Sequence, residues 1–245
     1  MEFMKKFGKY FVGKKVPDDY FPEASESEKI VMPWITIFAI LGFIFLVAFD
    51  MGFNTFPGKY TAYALIFIPI GLLGLILNLA EMTKKRTPWG ASSTFSGGYP
   101  LLITLAISII TALFFIIPHI LGWVGIGVSF LSLGDIGFKS LFAGLLVMGL
   151  FIPIIENAFF AKYLVPSMYE LGGKLRMAGI IGILIPSIIF MLAHFASTPT
   201  SAGLLFVFIF RFVTAGLILS TGSYLPALIP HMAVNSAFVI SLYLI

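Results

Sequence analysis

Seven runs of mostly apolar residues divide this chain, at about 32–50, 60–80, 99–121, 139–163, 176–198, 202–221 and 224–245. Each is near the ~20 residues that a helix needs to cross the hydrocarbon of a bilayer. Backbone groups at that depth find no water, so an apolar run of this length is read as a helix that satisfies its own hydrogen bonds. The fold class that follows is all-α: a polytopic transmembrane helix bundle of about seven to eight spans. The eighth depends on residues 122–138, a glycine-rich apolar stretch that reads either as a short helix or as a re-entrant or interfacial loop. Composition agrees: 59% of residues are hydrophobic and only 11% charged, against about a quarter charged in soluble domains.

Residues 1–31 form a basic N-terminal segment in which Phe3, Phe7 and Phe11 fall on one helical face between lysines. The pattern fits either an amphipathic helix lying on an anionic leaflet or a basic tail. Pro17–Glu28 reads as an acidic loop, with Ser25 or Ser27 as cap of the first span. Residues 32–138 hold the first three spans and 139–245 the remaining four, with no long polar linker between them. Twelve Lys and Arg residues fall on the side of the N-terminus, Lys162, Lys174 and Arg176 among them, against Lys59 and Lys139 on the other. That bias predicts a multi-pass protein of the cell membrane with a cytoplasmic N-terminus. The net charge of +4 is then a matter of orientation in lipid. Lipids are expected partners and nucleic acid is not. The absence of cysteine excludes disulfides, thiolate ligands and a cysteine nucleophile.

Four polar side chains interrupt three of the last four runs: Glu156, His194, His231 and Asn235. An ionisable group at bilayer depth costs roughly 2.5 to 3.5 kcal/mol on insertion scales, so it is kept inside the bundle and usually has a task there. Phe190 and His194 are four residues apart, as are His231 and Asn235, so each pair shares a helix face. Pro153 precedes Glu156 and frees a carbonyl about one turn earlier, which suits a polar pocket. Gly172-Gly173 is read as the turn after the fourth span, 16 residues beyond Glu156 and 21 before His194. Similar depth for the two then requires the helix to run on past Tyr163 through Pro166. His231 falls nearer the cytoplasmic side than His194, so convergence requires tilted helices or other boundaries near Pro186 and Pro230. Arg211, inside the sixth span, could pair with Glu156, line the pocket or turn to water, with a structural role favoured, and His119 is read as interfacial.

Glutamate and histidine around one water can act as general bases, and a histidine–asparagine pair can donate to a developing oxyanion. Two histidines and a glutamate can also ligate zinc. There is no His-Glu-x-x-His helix, so hydrolysis without a metal or other cofactor is the favoured expectation.

A glutamate motif, then Phe-x-x-x-His, then His-x-x-x-Asn on successive late helices resembles the CPBP intramembrane proteases. These include the type II CAAX prenyl endopeptidases and bacteriocin-immunity relatives. In the family's Glu-Glu-x-x-x-Arg motif, Glu156 stands at the first glutamate, Asn157 replaces the second, and Ala161 occupies the arginine position. Phe190 and His194 match the second motif, and His231 and Asn235 the third. The resemblance implies an endopeptidase that cuts near the cytoplasmic face and removes the C-terminal tripeptide of prenylated CAAX proteins. Its partner would be a peptide or prenylated protein. Glu156 and His194 would activate water, His231 and Asn235 would hold the oxyanion, and Asn157 and Phe190 would support them. Lys162 is the candidate to replace the missing cation. Two other readings stand beside it: an inactive relative serving as a membrane binding or immunity protein, and a proton-coupled carrier. No internal repeat supports the carrier.

Overall fold

A computed structural model describes residues 21, 24–51, 58–83, 101–120, 141–195 and 201–244. The expectations for residues 1–20 and 122–138 lie outside the described residues. Seven helices are described: α1 Glu26–Met51, α2 Gly58–Thr83, α3 Leu101–Ile120, α4 Leu141–Lys174, α5 Ala178–Ala193, α6 Ser201–Thr221 and α7 Leu225–Leu244. The all-helical, membrane-type architecture is as the hydropathy predicts. The span count differs: four described helices, within α1, α2, α4 and α6, are long and apolar enough to cross a membrane, whereas the apolar stretches of α3, α5 and α7 are 10–17 residues long.

The outer surface is apolar. On α1, Trp34, Phe38, Leu41 and Phe45 are exposed at helical spacing, and on α3 so are Ile103, Ile110, Phe114 and Ile117. Inside lie Thr36, Asn78, Glu81, Ser108, Glu156, Lys162 and Arg211, all buried. Polar residues inward and apolar residues outward is the arrangement for a bundle whose solvent is lipid.

The first helix begins earlier than expected. The Glu28 amide donates to Ser25 Oγ at 3.2 Å, so Ser25 is the cap and Glu26–Glu28 are helical rather than loop. The fourth span also departs from its expected limits. α4 continues through Tyr163 and Pro166 to Lys174, in one 34-residue element that changes pitch twice. Leu145–Phe151 and Phe160–Leu164 are π-helical, and α-helical turns resume at Ile152 and Val165. Pro153 and Pro166 each sit at the second position of a resumed α stretch. A proline cannot pair its nitrogen with the preceding turn, and the wide turns before it absorb the mismatch.

The turn after α4 is at Leu175–Met177, not at Gly172-Gly173, with Arg176 in the left-handed region at φ 58°. Gly172 is helical and serves close packing: a Cβ there would meet Ile181 Cβ at 2.8 Å and Ala178 Cα at 3.0 Å. It lets α5 fold back directly along the end of α4.

A buried ion network marks one level of the bundle. Lys162 Nζ lies 2.9 Å from Glu81 Oε2 and 3.3 Å from Glu28 Oε1. The Tyr163 hydroxyl is 2.8 Å from the Glu81 carboxylate and 3.0 Å from Asn78 Oδ1, and the Tyr224 ring lies 5.7 Å from the ammonium. The start of α1, the end of α2 and the turn before α7 therefore meet α4 at one height. Glu156 is six residues from Lys162 and His231 seven from Tyr224, each about 10 Å along its helix axis. Glu156 also lies 18 residues from Lys174, and His194 16 from Ala178, about 27 and 24 Å. The hairpin from Val165 to Ala178 thus extends past the level of the ion network. That resolves the expected disparity in depth: the two turns lie at different heights, and all three side chains reach a common one. Lys162 is consequently no loop residue, and it faces Glu28 and Glu81 rather than the motif side chains.

Removing one partner of a buried ion cluster leaves the other charges uncompensated, at about 3–5 kcal/mol. Lys162→Met should accordingly lower the thermal unfolding midpoint in detergent sharply, whereas Lys174→Met at the exposed helix end should change stability by about 0.5 kcal/mol or less. Equal midpoints for the two variants would show that the network contributes nothing.

Candidate functional site

Glu156 sits midway along Ile152–Phe159, the α-helical stretch between the two π-helical ones. Its carboxylate lies between two imidazoles from different helices. His194 Nε2 is 3.7 Å from Oε1, and His231 Nε2 is 3.5 Å from Oε2. Both distances exceed a strong direct hydrogen bond. Burial is uneven: the side chains of Glu156 and His231 are 2% and 7% exposed, and that of His194 20%. Access to the carboxylate is therefore on the His194 side.

His194 ends α5. Its backbone amide bonds the Met191 carbonyl at 3.1 Å in a tightened last turn, and its Nδ1 lies 2.8 Å from the Phe190 carbonyl oxygen. A carbonyl only accepts, so Nδ1 bears the proton and, in the neutral ring, Nε2 presents a lone pair towards Glu156. Two acceptors then face one another 3.7 Å apart, with no proton of their own between them.

His231 is held differently. Its Nδ1 is 2.9 Å from Asn157 Nδ2, and the same amide nitrogen donates to the Pro153 carbonyl at 2.8 Å. Arg211 Nη1 donates to Asn157 Oδ1 at 3.3 Å. Arg211 is fully buried, its guanidinium 4.0 Å from the centre of the Phe190 ring and 5.8 Å from that of Phe160. Phe190 touches each part of the cluster, with ring centres 4.4 Å from His194 and 6.0 Å from His231. Phe160, Phe210 and Phe115 continue the apolar wall.

Asn235 lies one turn beyond His231, and its Nδ2 donates to the Met148 carbonyl at 2.9 Å. That bond crosses from α7 to the first π-helical stretch of α4, where Gly149 abuts Ser236 so closely that a Cβ would force the Ser236 hydroxyl aside. One hydrogen of the Asn235 amide is committed to this contact.

Glu156, His194, His231, Asn157 and Phe190 are thus brought together, and Asn235 is joined to the helix that bears Glu156. Ala161 is apart: it is fully buried in the cluster formed with Val165, Tyr169 and Ala215. Lys162 is in the ion network. The cation beside Asn157 is Arg211, from α6, for which pairing with Glu156 or lining the pocket stood beside the favoured structural role. An arginine in the middle of an apolar run was the available signal, but the sequence does not say which helix it faces. The side chain of His119 lies outside the described residues. Among the described residues no group of three His, Asp or Glu side chains is arranged to hold a metal ion.

Residues 137–237 match the family model described as type II CAAX prenyl endopeptidase Rce1-like. No curated protein and no solved structure matches the chain. The matched region holds all three sequence motifs and the helices that bear the cluster around Glu156. Over residues 137–237 the chain is thus similar to the type II CAAX prenyl endopeptidases, which supports the resemblance to the CPBP intramembrane proteases carried by the three motifs.

Proposed function

We propose that this protein is an intramembrane endopeptidase that hydrolyses a peptide bond near the cytoplasmic face. The observation that carries the proposal is the Glu156 carboxylate set between two imidazoles from different helices, 3.5 and 3.7 Å away. Water held between Glu156 and His194 Nε2 gives up a proton as its oxygen attacks the scissile carbonyl. Charge passes to the carbonyl oxygen. His231 donates from Nε2–H, and Asn235 from the amide hydrogen not committed to Met148. The tetrahedral intermediate collapses when the amine leaves with the proton that the acid holds. No residue becomes covalently attached to the substrate.

The family relation supports a prenylated protein with a C-terminal CAAX sequence as the substrate class, and the lipid-facing surface beside the cluster suits a prenyl chain. The topology proposed with it has α1 to α7 all crossing the membrane, the N-terminus in the cytoplasm and the protein in the cell membrane. Lipids and the peptide substrate are then its partners, and neither a metal nor another cofactor is required.

The second reading is an inactive binding or immunity protein, favoured by the loss of the second glutamate at Asn157 and of arginine at Ala161. The loss at Ala161 weighs little, because Arg211 brings a guanidinium to Asn157 from another helix. An arginine placed at 161 would instead be driven into the packed core around Tyr169 and Ala215.

A prenylated peptide with a quenched fluorophore, incubated with the purified protein in detergent, tests the reading. Glu156→Gln and His194→Ala should each abolish turnover with expression retained. His231→Ala and Asn235→Ala should each slow it by roughly 10²–10³, as for one lost oxyanion donor. Full turnover by Glu156→Gln would remove the mechanism, and no turnover by the wild type across prenylated peptides would favour the binding-protein reading.

Dialysis against strong chelators checks the metal. His231 is engaged at Nδ1 and protonated at Nε2 in the arrangement above, which leaves it no lone pair for a ligand. Activity should therefore survive chelation unchanged. Stoichiometric zinc in the purified protein, with activity lost on its removal and restored on its return, would make the histidines ligands instead.

A further inference from the structure

The polarity of one hydrogen-bond chain is fixed from its first member. A guanidinium has donors and no acceptor, so the Asn157 atom 3.3 Å from Arg211 Nη1 must be the amide oxygen. That turns the amide NH₂ the other way. One of its hydrogens faces the Pro153 carbonyl at 2.8 Å, which can only accept. The other faces His231 Nδ1 at 2.9 Å. His231 Nδ1 must then accept, and the ring proton must sit on Nε2, facing Glu156. Each step follows from what the preceding group lacks.

Arg211 lies within reach of the Glu156 charge, but its hydrogen bond is to Asn157. It is fully buried, and among the described residues its Nε and Nη2 have no hydrogen-bond partner. Its flat face lies on Phe190 at 4.0 Å, the ring that also packs on His194 at 4.4 Å. A buried cation with two unused donors is costly as packing alone.

We propose that Arg211, acting through Asn157, is the positioning group that holds His231 in the Nε2–H tautomer. The inference rests on the proteolytic reading for its purpose, since that tautomer is the one that can donate to an oxyanion. It also gives the departure at Asn157 a meaning. A carboxylate at 157 could only accept from Nδ1–H, which would leave a neutral His231 with a bare Nε2. The amide reverses that bond and lets a neutral ring donate towards the site, and the amide in turn needs a donor on its oxygen. Asn157 and Arg211 therefore act as one unit.

The test uses the full-length protein, labelled with ¹⁵N-histidine, in lipid nanodiscs. Long-range ¹H–¹⁵N spectra report which ring nitrogen bears the proton. The chain has three histidines, and His119→Gln and His194→Gln spectra assign the signals. The wild type should show His231 protonated at Nε2 alone. Asn157→Asp should move the His231 proton to Nδ1, and Arg211→Met, where it folds, should give a mixture of the two tautomers, with the His194 signals unchanged in both. A wild-type His231 protonated at Nδ1, or at both nitrogens, would overturn the proposal. So would Nε2 protonation persisting in Asn157→Asp. In the peptidase assay Arg211→Met should lower kcat roughly as His231→Ala does, with KM little changed. If the wild type cleaves nothing while the tautomers behave as expected, the proteolytic reading fails and the positioning role of Arg211 stands.

Discussion

Charge buried in an apolar bundle must be answered by other polar groups, and the core of this protein is organised by that requirement. A lone carboxylate or guanidinium among lipid-facing helices would cost more than helix packing returns. The bundle collects its charges into two places. One is the network of Lys162, Glu28, Glu81, Tyr163 and Asn78, which ties α1, α2 and α4 together. The other is Glu156 with His194, His231, Asn157 and Arg211, which ties α4 to α5, α6 and α7. Both arise from α4, about 10 Å apart along it. The two differ in how completely their charges are matched. Lys162 is met by two carboxylates at short distance, as in a structural brace. Glu156 is met only at 3.5 and 3.7 Å, beyond strong hydrogen bonds, so its carboxylate is left incompletely matched.

The two histidines, chemically identical, have different Nδ1 partners, and the proposed mechanism gives them opposite tasks. A backbone carbonyl one turn back in α5 makes Nε2 of His194 an acceptor. A side-chain amide from α4 makes Nε2 of His231 a donor. A base and a hydrogen-bond donor are thereby available on either side of one carboxylate without any ring having to ionise. Phe190 packs against both rings and against Arg211, so the aromatic residue of the second motif holds the spacing among groups that never touch one another directly.

Most of the helices were legible because lipid imposes a length and an apolar composition that the sequence displays directly. The motif residues were legible because a buried polar group in such a run is costly and therefore noticeable. The end of α4 was not: Gly172-Gly173 has the composition of a turn, yet Gly172 is used for close approach to Ile181 and Ala178, and a glycine chosen for size looks like one chosen for backbone freedom. The role of Arg211 was hidden for a different reason. Position 211 is 54 residues from Asn157, and nothing in a helix period states which way a side chain faces across a bundle. The same gap made adjacent Lys162 look like the substitute cation, although it points to α1 and α2.

The two π-helical stretches of α4 give its motif a fixed phase. Successive residues of an α-helix are rotated by about 100°, and a π turn takes in an additional residue before the chain completes its circuit. The direction in which Glu156 points is therefore the outcome of a count, taken over Leu145–Phe151 on one side and Phe160–Leu164 on the other. Side chains along this stretch can be exchanged for others of similar size without altering that count. A change of length does alter it: after one residue is dropped before Ile152 the carboxylate keeps its direction only if a wide turn closes to an α turn, and otherwise it swings by about 100° out of the space between the imidazoles, with every motif residue still present in the sequence.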